Sequence, residues 1–336
     1  MKKKLPGHWK IMRGGRDVPL RPLLFVTGFA VVGVMALVLT RAATPTVSIQ
    51  PENGTVTAPA ATISDAAASG GQAVKFQAPS SGSGTQTCPP FPAFPDSNCT
   101  GVNPGKNLAV VNGVVIITQS GMVYTDKDVR GKIYVNASNV TIRDVKVQGG
   151  IQVDSNTVTV IEDTEMGPVT GLGGDQGINA VGNGGFTCRR CDIHNFKDGG
   201  KLSGVTLVED SYIHNLWGTT DSHNDGFQDA YLGGGTVILR HNVISSVLAP
   251  DSYTGGGSGG ENGAMQIGDG WQGTMTIENN LLDSNGVYVL RLENGTHIVR
   301  NNRWTRKGNN THAITDAIIQ QWTGNAFQDN GQAIPQ

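Results

Sequence analysis

Aromatic side chains make up only 6% of this 336-residue chain, and charged ones 15%. Cysteine occurs four times. Few aromatics beside 47 glycines suit a chain of many tight corners and few helices. A basic surface is also missing. Residues 1–41 carry eight Lys/Arg against one Asp, so the net charge of −2 divides into +7 there and −9 in the remainder. An acidic body argues against nucleic-acid binding, which needs a basic face, and offers no long-range attraction to polyanionic sugars. Long apolar runs are absent except for one, the 18 uncharged residues Leu23 to Thr40. That length suits a membrane span and exceeds the usual core of a signal peptide. Seven basic residues precede it, from Lys2 to Arg21, so the positive-inside rule places residues 1–22 in the cytoplasm and the body outside the cell. A cleaved signal peptide ending near Ala42-Ala43 is the alternative.

What is present is a repeat. A short stretch beginning at Val140-Thr141-Ile142-Arg143-Asp144-Val145-Lys146-Val147 recurs seven times. The later copies close at Met166, Ile193, Ile213, Ile244, Leu282 and Trp304. Five residues before each closing position stands an apolar column: Ile142, Ile161, Cys188, Val208, Leu239, Ile277 and Val299. The next column alternates in charge without a break: Arg143, Glu162, Arg189, Glu209, Arg240, Glu278 and Arg300. A third holds small or amide side chains, ending in Asn242, Asn280 and Asn302. Repeats of this period with one strand per copy mark a solenoid whose turns stack. Equivalent residues in a parallel stack lie roughly 4.8 Å apart, so like charges in one column would repel, and alternation pairs them instead. The expected fold is all-β, a right-handed parallel β-helix, with two or three short strands per coil.

The domain organisation follows. Residues 1–22 are a basic cytoplasmic tail and 23–40 a single N-terminal transmembrane helix. Residues 41–93 form a stalk and linker, Pro/Ser/Gly-rich from 77. Within them, Pro51-Glu52-Asn53-Gly54-Thr55-Val56 and Ala68–Phe76 resemble the opening strands of a carbohydrate-binding β-sandwich, but roughly 100 residues are needed to build one. A remnant or short stalk is the expectation. Residues 94–336 are the β-helix, with a cap and first coil over 98–129 and regular coils from Gly131.

The stretch Phe94-Pro95-Asp96-Ser97-Asn98-Cys99-Thr100-Gly101-Val102-Asn103-Pro104-Gly105-Lys106-Asn107-Leu108, the coils that follow, and the closing Trp322-Thr323-Gly324-Asn325-Ala326-Phe327 together resemble secreted bacterial β-helix proteins of the pectin-lyase-like superfamily. The resemblance covers about residues 91–336. It implies a fold and leaves the activity open, since that fold hosts lyases, hydrolases, epimerases and non-enzymes. The Arg pair of the polygalacturonate lyases and the paired Asp and Gly-His-Gly pattern of the polygalacturonase hydrolases are not found in this sequence.

Successive closing residues lie 19, 27, 20, 31, 38 and 22 positions apart. The excess falls at about 167–176, 214–224 and 245–262, so three loops are expected to wall a groove on one side of the solenoid. At its floor lie Asp175, Asp198, Asp225 and Glu261, with Lys201 among them, and the richest polar stretch is Asp221-Ser222-His223-Asn224-Asp225-Gly226-Phe227-Gln228. Three chemistries fit this set. Glycoside hydrolysis uses two carboxylates, here Asp225 with Asp198, Asp221 or Glu261. A β-eliminating lyase uses a base, Lys201 or His223, with Ca²⁺ on Asp175, Asp198 and Asp225. A binding groove would take a glycan against Trp217 and Tyr253, with Gln228 and Glu261 as polar contacts. Against all three stands the reading of Asp-Gly and Asn-Gly as ordinary turns.

The sequence thus leads to a surface protein that binds, or binds and cleaves, an extracellular polysaccharide. A non-catalytic adhesin or surface-structural protein is the alternative. Cys88 with Cys99 would close a short loop at the solenoid entrance. Cys188-Arg-Arg-Cys191 reads as a bridge across a coil corner or as two buried thiols, in preference to a zinc site.

Overall fold

The structure, a computed structural model, describes residues 60–64, 72–76, 86–154, 157–168, 179–219, 222–229, 234–252, 260–268, 270–307 and 310–336. The chain divides into two compact units, Met1–Ser80 and Ser81–Gln336. In the first, Ala60–Ser64 pairs antiparallel with Gln72–Phe76. The tail 1–22 and the apolar run 23–40 lie outside the described residues, and no helix among the described residues is long and apolar enough to cross a membrane.

The second unit is all-β, built of two long parallel sheets of 17 and nine strands. In the nine-stranded sheet the spatial order is the chain order, from Val115–Ile117 through Ile133–Val135, Ile151–Val153, Asn179–Gly182, Asp198–Leu202, His223–Asp229, Gly260–Ile267 and Tyr288–Glu293 to Asn310–Thr315. The chain returns to the larger sheet between each of these strands, so each circuit lays one coil on the last. This architecture fits a parallel β-helix. Stacking begins within the segment expected to hold the first coil, where Ala109–Asn112 pairs in parallel with Val123–Arg130.

The three columns are real registers. All seven residues of the apolar column are fully buried, as are the seven closing residues. The charge column is continuous: Arg143 opposes Glu162, Glu162 opposes Arg189, and the alternation runs on to Arg300. Glu209 meets Arg189 at 3.3 Å and Arg240 at 2.5 Å. In the amide column, Asn242 Nδ2 donates to Asn280 Oδ1 at 2.9 Å, and Asn280 Nδ2 to Asn302 Oδ1 at 3.0 Å. The ladder extends one coil further, where Asn302 Nδ2 donates to Asn325 Oδ1 at 3.1 Å. Each of these amides also donates to a backbone carbonyl, so the buried polar row is well satisfied.

Between the charge and amide columns lies a fourth. Asp144, Asp163, Arg190, Asp210, His241, Asn279 and Asn301 all take left-handed backbone conformations, with φ between 48° and 58°. Asp, Asn and His tolerate that region best, and this corner turns the following residue into the core. Arg190 is the exception in type, and the Asp163 carboxylate grips its guanidinium at 2.6 and 2.9 Å. At the C-terminal end the tail folds back. Ala333 bridges antiparallel to Ala326, and Trp322 Nε1 donates to Ile334 O at 2.8 Å.

Candidate functional site

Three consecutive strands of the nine-stranded sheet carry the polar residues singled out in the sequence. Lys201 stands in register with Gln228, and Gln228 with Gln266. Asp198 opens one strand and Asp225 lies within the next. The Asp225 backbone N–H donates to Asp198 Oδ1 at 3.1 Å, and Gln228 Nε2 donates to Asp198 Oδ2 at 2.5 Å. Lys197 Nζ lies 4.0 Å from the same Oδ2. The Asn262 side chain hydrogen-bonds to the Asp225 carboxyl, whose Oδ1 is buried without a hydrogen-bond partner.

The Asp-Gly pairs here are not turns, which corrects the simpler sequence reading. Both lie inside strands, and neither Gly199 nor Gly226 has a positive φ. Their reason is space. A Cβ on Gly199 would come 2.7 Å from Ile213 Cγ2, and one on Gly226 would come 2.6 Å from Ile244 Cγ2. Absent side chains at these points let the strands press onto the core.

Burial sets the electrostatics. Asp198 is 0% exposed and Asp225 2%. Burial pushes Asp198 up to about 6, against the lowering influence of Lys197 and the hydrogen bonds it accepts. Asp225 is held well above the usual carboxylate range, first by burial and then by the neighbouring charge of Asp198. Burial lowers Lys201 from the ordinary lysine range, while both aspartates oppose that shift. Two carboxyls and one amine are therefore biased towards their neutral forms in one place.

The remaining residues divide. His223 is exposed at the start of the Asp225 strand. Trp217 is half-buried; its backbone N–H donates to Phe196 O at 2.7 Å. Glu261 accepts from the backbone N–H groups of Leu248 and Asn285 and from Asn285 Nδ2, so it braces two coils. Asp175, Asp221 and Tyr253 lie outside the described residues, as do 169–178, 220–221 and 253–259 of the three insertions. One residue the sequence reading passed over is Asn224, fully buried. Its Nδ2 donates to Lys197 O at 2.7 Å and Trp217 O at 2.9 Å, tying the base of one insertion to the preceding coil.

Of the three carboxylates expected to hold calcium, Asp175 lies outside the described residues. Among the described residues no group of three or more His, Cys, Asp or Glu could hold a metal ion. Both oxygens of Asp198 already accept hydrogen bonds. The cysteines form two disulfides, Cys88–Cys99 and Cys188–Cys191. The second joins the apolar column to the amide column inside the core, where both sulfurs are shielded from solvent.

Comparison with family models, with curated proteins and with solved structures returned no match for this chain.

Proposed function

We propose that residues 94–336 form a right-handed parallel β-helix of the pectin-lyase-like kind, held at the cell surface by an N-terminal span, and that it binds and cleaves an extracellular polysaccharide. The observation that carries this reading is the pair of buried carboxyls on adjacent strands beside Lys201, all three biased towards neutrality. Perturbed acids and bases gathered in one place are a mark of acid–base chemistry. Asp225, held above the usual carboxylate range by burial, gives its proton to the leaving glycosidic oxygen as the C–O bond breaks, while water adds to the sugar carbon and its proton returns to the Asp225 carboxylate. Asp198 acts through Asp225, since its charge helps to hold that proton in place. Lys201, brought down by burial, supplies the base of an eliminating variant of the reaction.

A second reading, a non-catalytic adhesin or surface-structural protein, is favoured by the burial of both carboxyls and by the two occupied oxygens of Asp198. A panel of polysaccharides separates the cases. New reducing ends without unsaturated products indicate hydrolysis, unsaturated products indicate elimination, and retention on an immobilised glycan without products indicates binding alone. The anchor has its own test. The intact body should sediment with membranes, and a soluble body beginning near Ala43 would contradict it.

A further inference from the structure

The loop closed by the Cys88–Cys99 disulfide lies against the left-handed corner residues Asp210 and His241. Its Phe91–Phe94 end is fastened at one imidazole. His241 Nδ1 lies 2.6 Å from Asp210 Oδ1, and His241 Nε2 lies 3.0 Å from Ala93 O. A carbonyl oxygen can only accept a hydrogen bond, and so can an ionised carboxylate. Both ring nitrogens must therefore carry protons for both bonds to form, which makes the ring an imidazolium. The Phe94 ring stacks over it with centroids 6.4 Å apart, and the Arg303 guanidinium lies 5.5 Å from the Phe91 ring.

We propose that His241 is a latch that holds the Phe91–Phe94 end of the disulfide-closed loop on the coil corner while both its ring nitrogens are protonated, and frees that end when one proton is lost. The neutral ring keeps only one N–H. Directed at Asp210, it leaves Ala93 O without its donor; directed at Ala93, it leaves a bare ring nitrogen against a carboxylate. The charged groups around the ring are Asp210 and Glu209 on the preceding coil and Arg240 next to it in the chain, while the corner residue of the following coil is the uncharged Asn279. The hydrogen bond that His241 donates to the Asp210 carboxylate raises the His241 pKa above the ordinary histidine range, and burial opposes it. A group raised on folding contributes its stabilisation fully below the unfolded value and loses it as pH rises through the folded one. The latch is therefore closed in mild acid and opens as pH rises past the ordinary histidine range.

The test is backbone amide exchange of residues 91–99 in the full chain with the disulfide intact, at about pH 6 and about pH 9, corrected for intrinsic rates. Protection in the wild type should fall about tenfold more than in the coil strands between the two pH values. His241→Asn is the suitable variant, because Asn279 and Asn301 take the same left-handed corner conformation. It should show weak protection at both pH values. Asp210→Asn, which leaves the ring in place, should move the opening to lower pH. Equal protection of 91–99 in the wild type at both pH values would overturn the proposal, as would His241→Asn keeping the wild-type pH dependence. A His241 ring that is already neutral at about pH 6.5 by NMR titration would overturn it too.

Discussion

Asp198 accepts the backbone N–H of Asp225 across one coil boundary, at 3.1 Å, so the backbone itself holds the two carboxyls on neighbouring strands. The same residue takes the Gln228 amide on its other oxygen. Burial raises both acids, and the charge of Asp198 raises Asp225 further. Each consequence below can be measured separately.

The first is a pH-dependent stability cost. Asp198 titrates near 6 in the fold, above the 3.8 of a free side chain, so the folded state binds the proton more tightly than the unfolded one. Stability from this group is greatest below the unfolded value. It falls as pH rises from about 4 through about 6, and stays low above that. Asp198→Asn keeps an acceptor for the Asp225 N–H, and a turned Gln228 amide can satisfy its new donor. The variant should match the wild type near pH 4 and exceed it by on the order of 2 kcal/mol at pH 8. Parallel stability–pH curves for the two proteins, by chemical denaturation, would contradict this.

A second prediction concerns the charge column. Glu209 sits between Arg189 and Arg240, so Glu209→Lys places three basic residues in a row. The loss should be on the order of 1 kcal/mol at low ionic strength and should shrink in high salt. An unchanged melting temperature at low salt would count against the ladder.

The third concerns the buried amides. Asn280 Oδ1 accepts from the Asn242 backbone N–H and from Asn242 Nδ2. Its own Nδ2 donates to Leu239 O and Asn302 Oδ1. Asn280→Ala orphans several of these groups where no water reaches them. A loss of about 2–4 kcal/mol is expected, well above that of Glu209→Lys. Equal losses for the two variants would mean that the amide row contributes no more than a surface ion pair.

These columns were legible in the sequence because each is repeated seven times and each side chain's chemistry forbids a different register. The left-handed corner was less visible. Its members, Asp144, Asp163, Arg190, Asp210, His241, Asn279 and Asn301, share a backbone conformation and not a side-chain type. The mostly Asp, Asn and His filling was the available signal. Asp-Gly-Gly at 198–200 carries turn chemistry, which hides the strand there, while its glycines are set by the distance to Ile213 and the packing of Phe227. Asn224 stands within the polar stretch 221–228, but its role depends on carbonyls at Lys197 and Trp217 that only the fold brings to it. Asp198, Asp225, Lys201 and Gln228 were named from the sequence and lie together. Glu261, expected to contact substrate, also braces the coil that carries Asn285.

The central claim is that Asp225 carries a working proton. Wild type and Asp225→Asn should be incubated near neutral pH with one panel of polysaccharides, reading new reducing ends and unsaturated products, with melting temperatures recorded alongside. Asn retains the strand position and the N–H that bonds Asp198, but cannot give up a carboxylic proton. The account predicts that the wild type releases product from at least one glycan, and that Asp225→Asn loses about two orders of magnitude of that rate with a melting temperature close to wild type. Wild-type rates in Asp225→Asn, or no product from any glycan with the wild type, would contradict it.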